Sequence, residues 1–188
     1  MQKINNLKEQ FVSSFHELKN ARTLVASAML LAVAVVLGFF TLQVTDYIKL
    51  GFASIANELS ALMFGPVVGS LVATLADIIK YIVKPTGAFF PGFTISAFLG
   101  GLIYGMMFYK KPLSFKRILA AKVVEAVFIN ILLNTYWLTI LYGSAFSVLL
   151  PARIIKQIVM VPIEAVIFYS VAKALSKAKV FAGLGVKA

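Results

Sequence analysis

Two runs rich in leucine and isoleucine carry polar side chains at helical spacing. Asn130, Asn134 and Trp137 fall on one face of a helix at about 100° per residue, and Arg153 and Gln157 do so in the next run. Amides can read the donor and acceptor edges of a ring, cations bind carboxylates, and aromatic side chains stack on flat ligands. The combination indicates a pocket for a flat, amphipathic, anionic solute.

The elements that position these residues are apolar enough to cross a membrane. The chain of 188 residues is 61% hydrophobic with a mean hydropathy of +0.93, whereas a soluble domain averages about half apolar residues. Charged residues are absent from four stretches, each near or above the roughly 18–20 apolar residues that cross a bilayer core. These stretches are 23–45, 59–76, 85–109 and 126–152. The predicted fold class is an all-α integral membrane protein.

Six helices are predicted, which would form a bundle of six transmembrane helices. Gly65-Pro66 separates the second helix from the third, and the loop 84–93 precedes the fourth. Pro162 should kink the sixth helix. The helices are expected near residues 22–42, 52–64, 66–83, 94–109, 118–142 and 151–177.

The segment before the first predicted helix is polar. It carries Phe11, Phe15 and Leu18 on one face of a short amphipathic helix, which is expected to lie on the membrane surface. It lacks the apolar stretch and cleavage site of a signal peptide. The predicted regions are a cytoplasmic or interfacial segment (1–21), a six-helix membrane substrate-binding domain (22–178) and a C-terminal tail (179–188).

Lysine and arginine are unevenly distributed between the two predicted sides of the membrane. The side with both termini collects most of them, including Lys122. Because cytoplasmic loops are enriched in these residues, both termini are predicted to be cytoplasmic. The outer side has only Lys49, Lys80, Lys84, Arg153 and Lys156.

Charged groups at membrane depth are costly, roughly 2.5–3.5 kcal/mol each on insertion scales. They should therefore face the bundle interior or a water-filled cavity. Structural explanations remain open for some of them. Asp77 and Lys80, one turn apart, could form an ion pair, and Lys156 could reach the lipid headgroups.

The remaining polar residues have structural alternatives as well. Asn130 could form a hydrogen bond between helices, a common use of amides in membranes. Glu125, close to Lys122, is expected at a helix interface rather than in contact with a ligand. For Asn57 and Glu58 the structural and the functional interpretation are balanced.

Several classes of function lack their chemistry in this sequence. There is no cysteine and one histidine, His16, so disulfides and a Cys/His metal site are excluded. No G-x-x-x-x-G-K-[ST] loop, H-E-x-x-H or G-x-S-x-G motif occurs. No soluble basic domain could bind nucleic acid. We therefore expect a membrane-embedded binding protein without catalytic residues, metal or cofactor, which relies on partners for energy.

Five stretches carry a resemblance to a known family. They are AMLLA (28–32), SIANELSALMFGPVVG (54–69), PTGAFFPGFTISAFLGGLIYG (85–105), NTYWLTILYG (134–143) and LLPARIIKQIVMVPIE (149–164). The first three resemble the substrate-binding S components of energy-coupling-factor (ECF) vitamin transporters. The last two are similar to the folate-specific branch of that family. The resemblance extends from residue 22 to about residue 178.

The resemblance implies a fold, a location and partners. S components have six helices with cytoplasmic termini, and they bind a vitamin near the extracellular side under two loops that act as a lid. They dock on a transmembrane coupling protein, the T component, which is associated with two cytoplasmic ATPases. The small residues Ala28 and Ala32 match the docking motif of the first helix. This chain would then be a multi-pass protein of a bacterial plasma membrane.

The stripes of polar residues suggest roles in binding folate. Asp77, Asn134 and Gln157 would read the donor and acceptor edges of the pterin. The rings of Phe90, Tyr136 and Trp137 would stack on it. The glutamate carboxylates would be held or attracted by Lys80, Lys84, Arg153 and Lys156.

Three alternatives remain on the sequence alone. The same scaffold could bind riboflavin, pantothenate or thiamine, although a cation-rich site argues against cationic thiamine. A small membrane enzyme would need paired carboxylates or a metal site, and Glu58, Asp77 and Glu164 are scattered along the chain. In a purely structural subunit, the polar stripes would only join helices.

Overall fold

The computed structural model describes residues 7–45, 48–85, 88–143 and 145–179, without the side chains of 42–50. Most of these residues are helical. In chain order the elements are α1 (Leu7–Glu17), α2 (Ala21–Phe39), β1 (Leu42–Thr45), β2 (Ile48–Leu50), α3 (Ser54–Val83), α4 (Pro91–Phe108), α5 (Phe115–Glu125), a π-helical segment (Ala126–Leu133), α6 (Asn134–Tyr142) and α7 (Phe146–Lys177).

Within the described residues, five helices are long and apolar enough to cross a membrane. They are α2, α3, α4, the continuous helix Phe115–Tyr142 and α7. The predicted helical class is confirmed, with one addition. Between α2 and α3, the strands β1 and β2 pair as a short antiparallel hairpin.

The helix α3 is broken at Gly65. This residue has φ +89°, a region that glycine enters without steric cost, and the next residue, Pro66, cannot donate a backbone hydrogen bond. A Cβ atom on Gly69 would lie 2.7 Å from Cα of Ala61, although eight residues of a straight helix span about 12 Å. The chain therefore reverses at Gly65.

The two halves of α3, residues 54–64 and 66–83, lie side by side as a helical hairpin. In the part of the chain that the structure describes, six helical segments therefore make up the bundle, and five elements qualify as candidate spans. The first half spans about 16 Å at 1.5 Å per residue, which is short of the roughly 30 Å of a bilayer core. The predicted bundle of six transmembrane helices is thus confirmed in part: the described residues form a helical fold with five apolar candidate spans, and residues 54–64 are the shorter arm of the hairpin.

Two helices, α4 and α7, begin earlier than predicted, because the prediction treated proline as a sign of a loop or a helix start. α4 begins at Pro91, inside the predicted loop, and proline suits this first position. α7 begins at Phe146 and contains Pro151 within its length. Membrane helices tolerate an internal proline when neighbouring groups satisfy the freed backbone carbonyl.

The bundle has two different ends. The closed end is where α1, Gly65 and Tyr109 meet, since a Cβ on Gly65 would touch both Ser14 and Tyr109. The open end carries the β1–β2 hairpin, the connection from α3 to α4, and the turn at Gly143. Much of the core lies towards the closed end, where the rings of Phe108 and Phe168 stack with centroids 5.4 Å apart.

The helix α1 packs against the closed end through its polar side. Gln10 and Ser14 are buried, whereas Phe15 is 56% exposed. Leu18 packs against the core. Phe11, Phe15 and Leu18 were predicted to share one face, but Phe15 is exposed whereas Leu18 packs against the core. The hydrogen bonds of Ser14 with the backbone at the break in α3 fix this orientation of α1.

Candidate substrate-binding site

A cavity of about 400 Å³ opens among α3, α4, the π-helical segment, α6 and α7. Its wall combines aromatic rings, amides and charged groups, and four cations face only two carboxylates. Three of the rings, Tyr81, Phe89 and Phe93, come from the end of α3, the α3–α4 connection and the start of α4, respectively. The charged lining residues are Lys80, Lys84, Arg153, Lys156, Asp77 and Glu125.

Six of the nine residues predicted for the site line this cavity. They are Asp77, Lys80, Phe90, Asn134, Arg153 and Lys156. The other three, Tyr136, Trp137 and Gln157, lie outside its lining. A helical stripe indicates which residues share a direction, but it does not distinguish the wall of a cavity from the layer behind it.

Trp137 stands directly behind the wall. Its indole Nε1 donates to Ser96 Oγ at 3.1 Å, and its ring lies 5.6 Å from that of Phe90. Both of those residues line the cavity. A Cβ atom on Gly92 would come within 2.6 Å of the indole, so the tryptophan is tightly held and supports the wall.

The other two residues outside the lining differ in exposure. Tyr136 is 52% exposed on the outside of the bundle and contacts Trp137 at a centroid distance of 5.2 Å. Gln157 is buried one turn after Arg153. Direct contact of either residue with a ligand stays a prediction.

A chain of hydrogen bonds follows the π-helical segment along the cavity. Asn134 Nδ2 donates to Asn130 Oδ1 at 3.2 Å, and Asn130 Nδ2 donates to Glu125 Oε2 at 2.9 Å. The guanidinium of Arg153 clamps the carbonyl of Asn130 through Nε (3.1 Å) and Nη2 (2.9 Å). Arg153 thereby ties α7 to this segment.

The π-helical geometry explains why Glu125 and Asn130 meet. At 100° per residue they would point about 140° apart, but the segment is wound more widely, and the Asn134 N–H bonds to the carbonyl of Ile129, five residues earlier. Such wide turns are frequent at functional sites. Glu125 was expected at a helix interface, and its side chain lines the cavity instead.

Asp77 and Lys80 do not form the ion pair that was considered for them. Among the described side chains, the ion pairs involve other residues, and Asp77 accepts the hydroxyl of Thr94 at 2.9 Å. The stem of Lys80 runs over Gly38, whose Cβ would lie 2.8 Å from Lys80 Cδ. Asp77 and Lys80 also line a second cavity of about 200 Å³ beside α2.

A buried ion cluster joins three helices. Lys122 Nζ lies 2.6 Å from Glu58 Oε1 and 2.8 Å from Glu164 Oε2, and 5.6 Å from the ring centre of Tyr104. Lys122 and Glu58 are 1% and 0% exposed. Lys122 was counted among the cations of the predicted cytoplasmic side, and the structure shows that it is buried beside its two partners. Asn57, unlike Glu58, lines the cavity.

Several lining residues were not anticipated from the sequence. Ser96, Gly100 and Tyr104 lie four residues apart and present one face of α4 to the cavity. That spacing was the available signal. Two other lining residues, Asn57 and Asn134, each carry a buried amide oxygen that has no hydrogen-bond partner within the described part of the chain, so the wall has acceptors to offer a ligand.

The predicted docking residues lie far from this wall. Ala28 and Ala32 are exposed on α2, whose outward face also shows Val25, Met29 and Val36. The buried positions of α2 include Thr23 and Ser27. This helix therefore directs an apolar surface of small and medium side chains away from the bundle.

Comparisons with known proteins identify relatives over most of the chain. The sequence model of the family described as "ECF transporter, substrate-specific component" matches residues 22–172. The folate transporter FolT of Clostridium novyi is 36% identical over 163 residues, which cover 87% of this chain and 95% of the relative. FolT of Leuconostoc mesenteroides is 33% identical, covering 80% of this chain and 84% of its own.

A solved structure supports the same relationship. The crystal structure of FolT bound with folic acid superimposes with a TM-score of 0.77 at 32% identity, covering 82% of this chain and 95% of that one. Riboflavin transporters match at a lower identity of 26%. With its apolar helices, this chain is a membrane protein, and it belongs to the family of substrate-specific components of ECF transporters.

Proposed function

We propose that this chain is the membrane-embedded folate-binding subunit of an ECF-type, ATP-driven vitamin uptake transporter. It captures folate at the extracellular side and delivers it by docking on the partner subunits that supply energy. The support is the family membership, two folate transporters at 36% and 33% identity, and the similarity to a FolT structure bound with folic acid.

The observation that carries this proposal is the charge and shape of the cavity. Its lining has four cations and two carboxylates, which leaves a formal excess of two positive charges. Folate has a flat pterin ring at one end and two glutamate carboxylates at the other. The excess charge complements the carboxylates, while the aromatic rings suit the pterin.

Within this proposal the lining residues divide by chemistry. Lys80 and Lys84 attract the carboxylates near the open end, and Arg153 and Lys156 add positive charge further along the wall. Asn134 offers its unpaired amide oxygen to a ring donor. Phe90 stacks on the pterin ring. Trp137 supports Phe90 from behind, and Tyr136 contacts Trp137. Asp77 and Gln157 remain candidates for hydrogen bonds to the ring.

The closed end is proposed to face the cytoplasm, together with both termini. In the described residues this end carries most of the lysines and arginines, including Lys110, Lys111 and Arg117, as cytoplasmic loops do. Because the chain has no cysteine, single cysteines can report on sidedness. Lys179→Cys should resist a membrane-impermeant maleimide in intact cells, and Ala145→Cys should react; the reverse pattern would invert the orientation.

The exposed face of α2 is proposed to dock on the transmembrane T component, which works with two cytoplasmic ATPases. Ala28 and Ala32 allow another helix to approach closely. Replacing either by tryptophan should abolish ATP-dependent folate uptake while leaving folate binding by the isolated chain unchanged. Uptake at the wild-type rate would remove this face from the interface.

The test of the folate assignment is a binding titration of the purified chain. Trp137 is the single tryptophan and contacts Phe90 of the wall, so folate should quench its fluorescence at stoichiometric amounts. Mass spectrometry of the copurified ligand, with riboflavin, pantothenate and thiamine as competitors, separates the other vitamins. A folded chain that binds riboflavin but no folate would overturn the assignment.

Arg153→Ala should weaken folate binding more than about tenfold. The substitution removes a charge from the wall and frees the carbonyl of Asn130 that the guanidinium holds. Loss of a desolvated charge partner typically costs about 2–5 kcal/mol. Arg117→Ala, at the closed end, is the matched control and should bind normally. Unchanged affinity in Arg153→Ala, with a normal melting temperature, would exclude Arg153 from the site.

A further inference from the structure

The winding of the helix changes twice between α5 and α6. The N–H of Ala126 bonds to the carbonyl of Lys122, four residues earlier, as in an α-helix. The N–H of Asn134 bonds to the carbonyl of Ile129, five residues earlier, and α6 then continues with α-helical winding to Tyr142. A hydrogen-bond spacing that changes from four residues to five and back accommodates one residue more than a straight α-helix does. The π-helical segment therefore contains one extra residue.

The return to α-helical winding leaves one backbone carbonyl without a helical donor. N–H groups of a π-helix reach back five residues and those of an α-helix reach back four, so the change from one to the other skips one carbonyl. The carbonyl of Asn130 follows directly after that of Ile129, the acceptor of the Asn134 N–H. Arg153 donates to it through Nε at 3.1 Å and Nη2 at 2.9 Å. Because water cannot satisfy a backbone carbonyl inside a bilayer, the guanidinium takes the place of the missing N–H.

The extra residue also sets the direction in which the side chains of α6 point. Winding the segment as a continuous α-helix would turn α6 by about 100° around its axis. Leu138 and Leu141 line the cavity, whereas Tyr136 and Ile140, on a different face of the helix, are 52% and 51% exposed. A rotation of this size would move the two leucines out of the wall. The shape of the cavity therefore depends on the π-helical winding.

Trp137 reports the rotation of α6. Its indole Nε1 donates to Ser96 Oγ at 3.1 Å, and a Cβ atom on Gly92 would lie 2.6 Å from the ring. Both of these partners belong to α4, so the indole fits between α4 and α6 only in the present rotation. Because Trp137 is the single tryptophan, its fluorescence records this rotation in the absence of any ligand.

We infer that Arg153 is a positioning residue, which holds α6 in the rotation that forms the cavity wall. It acts through the carbonyl of Asn130. An unpaired buried backbone group costs free energy comparable to a lost hydrogen bond, and the guanidinium removes this cost from the π-helical winding. Without it, a continuous α-helix becomes favourable because that winding skips no carbonyl. This role belongs to the ligand-free chain, and only its effect on folate binding rests on the proposed function.

Two neutral substitutions separate this role from that of the positive charge. Arg153→Gln keeps an N–H donor at the position of Nε, whereas Arg153→Met, of similar length, has no donor. In the purified full-length chain without ligand, Arg153→Met should shift the emission maximum of Trp137, and Arg153→Gln should keep the wild-type emission. Arg117→Met, at the closed end, is the control and should also keep it. Circular dichroism checks that each variant is folded.

The same pair of variants should differ in folate affinity. Arg153→Met should bind folate more than about tenfold more weakly than wild type, as expected when the wall is displaced. Arg153→Gln should bind folate more tightly than Arg153→Met, although both variants lack the charge.

Removal of the extra residue should make the guanidinium dispensable. Deletion of Leu132, which is 46% exposed, should convert Phe115–Tyr142 into a continuous α-helix with α6 in its present rotation. Arg153→Met in this background should then show the wild-type emission of Trp137, because no carbonyl is skipped. This double variant decides the question if Arg153→Met alone does not fold.

The outcomes separate the positioning role from the proposed function. Wild-type emission in Arg153→Met, or equal shifts in Arg153→Met and Arg153→Gln, would overturn the positioning role. A double variant that does not fold, or whose emission is shifted, would overturn it too. Wild-type emission with weakened folate binding in Arg153→Met would mean that the arginine acts on the ligand directly. A wild-type chain that binds no folate would overturn the proposed function and leave the emission test unaffected.

Discussion

The packed interior of this bundle and the wall of its cavity use glycine for opposite purposes. In the packed interior, Gly69, Gly101 and Gly105 approach backbone atoms of α3 so closely that a Cβ on any of them would overlap Ala61, Ser70 or Pro66, respectively. On the cavity wall, one residue before Gly101, a Cβ on Gly100 would meet nothing within 4 Å. The difference teaches that a glycine in a membrane helix can build contact or preserve space, and that only its surroundings decide which.

The polar groups follow the same division. At the closed end Ser14 is fully buried and its hydroxyl is saturated by backbone partners. In the described wall of the cavity, by contrast, the amide oxygens of Asn57 and Asn134 are buried without a partner. Because an unsatisfied buried acceptor costs about 1–3 kcal/mol, the open end bears a cost that a hydrogen-bonding ligand can offset.

The largest effect is expected from removing Lys122, the cation of the buried ion cluster. Lys122→Met would leave the buried Glu58 and the partly buried Glu164 without their shared partner. Removal of one member of a buried ion pair typically costs about 3–5 kcal/mol. The expected result is a large loss of thermal stability in detergent, or failure to fold, measured by circular dichroism and size-exclusion chromatography.

Neutralising the partners is the control for this variant. Lys122→Met combined with Glu58→Gln and Glu164→Gln should recover part of the stability, because no buried charge is then left unpaired. Equal stability of Lys122→Met and wild type would show that the cluster contributes nothing to the fold.

A matched pair of glycine substitutions tests whether Gly105 serves helix packing while Gly100 preserves space. Gly105→Ala would force a methyl group against the backbone of Pro66 and should cost about 2–3 kcal/mol, within the range of overpacked cores. Gly100→Ala, on the same helix, should leave the melting temperature nearly unchanged and lower folate affinity. Similar stability losses in both variants would contradict the distinction between packing and space.

Much of the fold follows from the sequence because its signals are local. The lengths of uncharged apolar runs predict the helices, and Gly65-Pro66 predicts the break in α3 that gives the helical hairpin. The position of Pro151 is a weaker signal, since a membrane helix can extend through it. The helix starts were therefore the least accurate part of the prediction.

The site was less predictable because it depends on non-local contacts and on irregular winding. Lys122 pairs with residues 64 and 42 positions away, so the local charge pattern does not indicate that it is buried. Glu125 faces the cavity beside Asn130 only because the intervening segment is π-helical. Periodicity also places Trp137 and Asn134 in one stripe, although Asn134 lines the cavity and Trp137 supports its wall.

The smallest expected effect concerns the attachment of α1 to the closed end. Ser14 Oγ donates to the Phe64 carbonyl at 2.7 Å and accepts the N–H of Val67 at 3.0 Å and of Val68 at 3.3 Å. It therefore caps the helix that starts at Pro66, although it belongs to another element. Ser14→Ala should lower stability by about 1 kcal/mol, the usual cost of losing a helix cap.

The neighbouring serine provides the control for that cap. Ser13 contacts the Tyr109 hydroxyl at 3.1 Å in a partly exposed position, so Ser13→Ala should change the melting temperature less than Ser14→Ala. Neither variant should alter folate affinity, because both lie at the end opposite the cavity. If Ser14→Ala weakened folate binding without loss of stability, the two ends would be coupled through α3, and the closed end could no longer be regarded as a passive anchor.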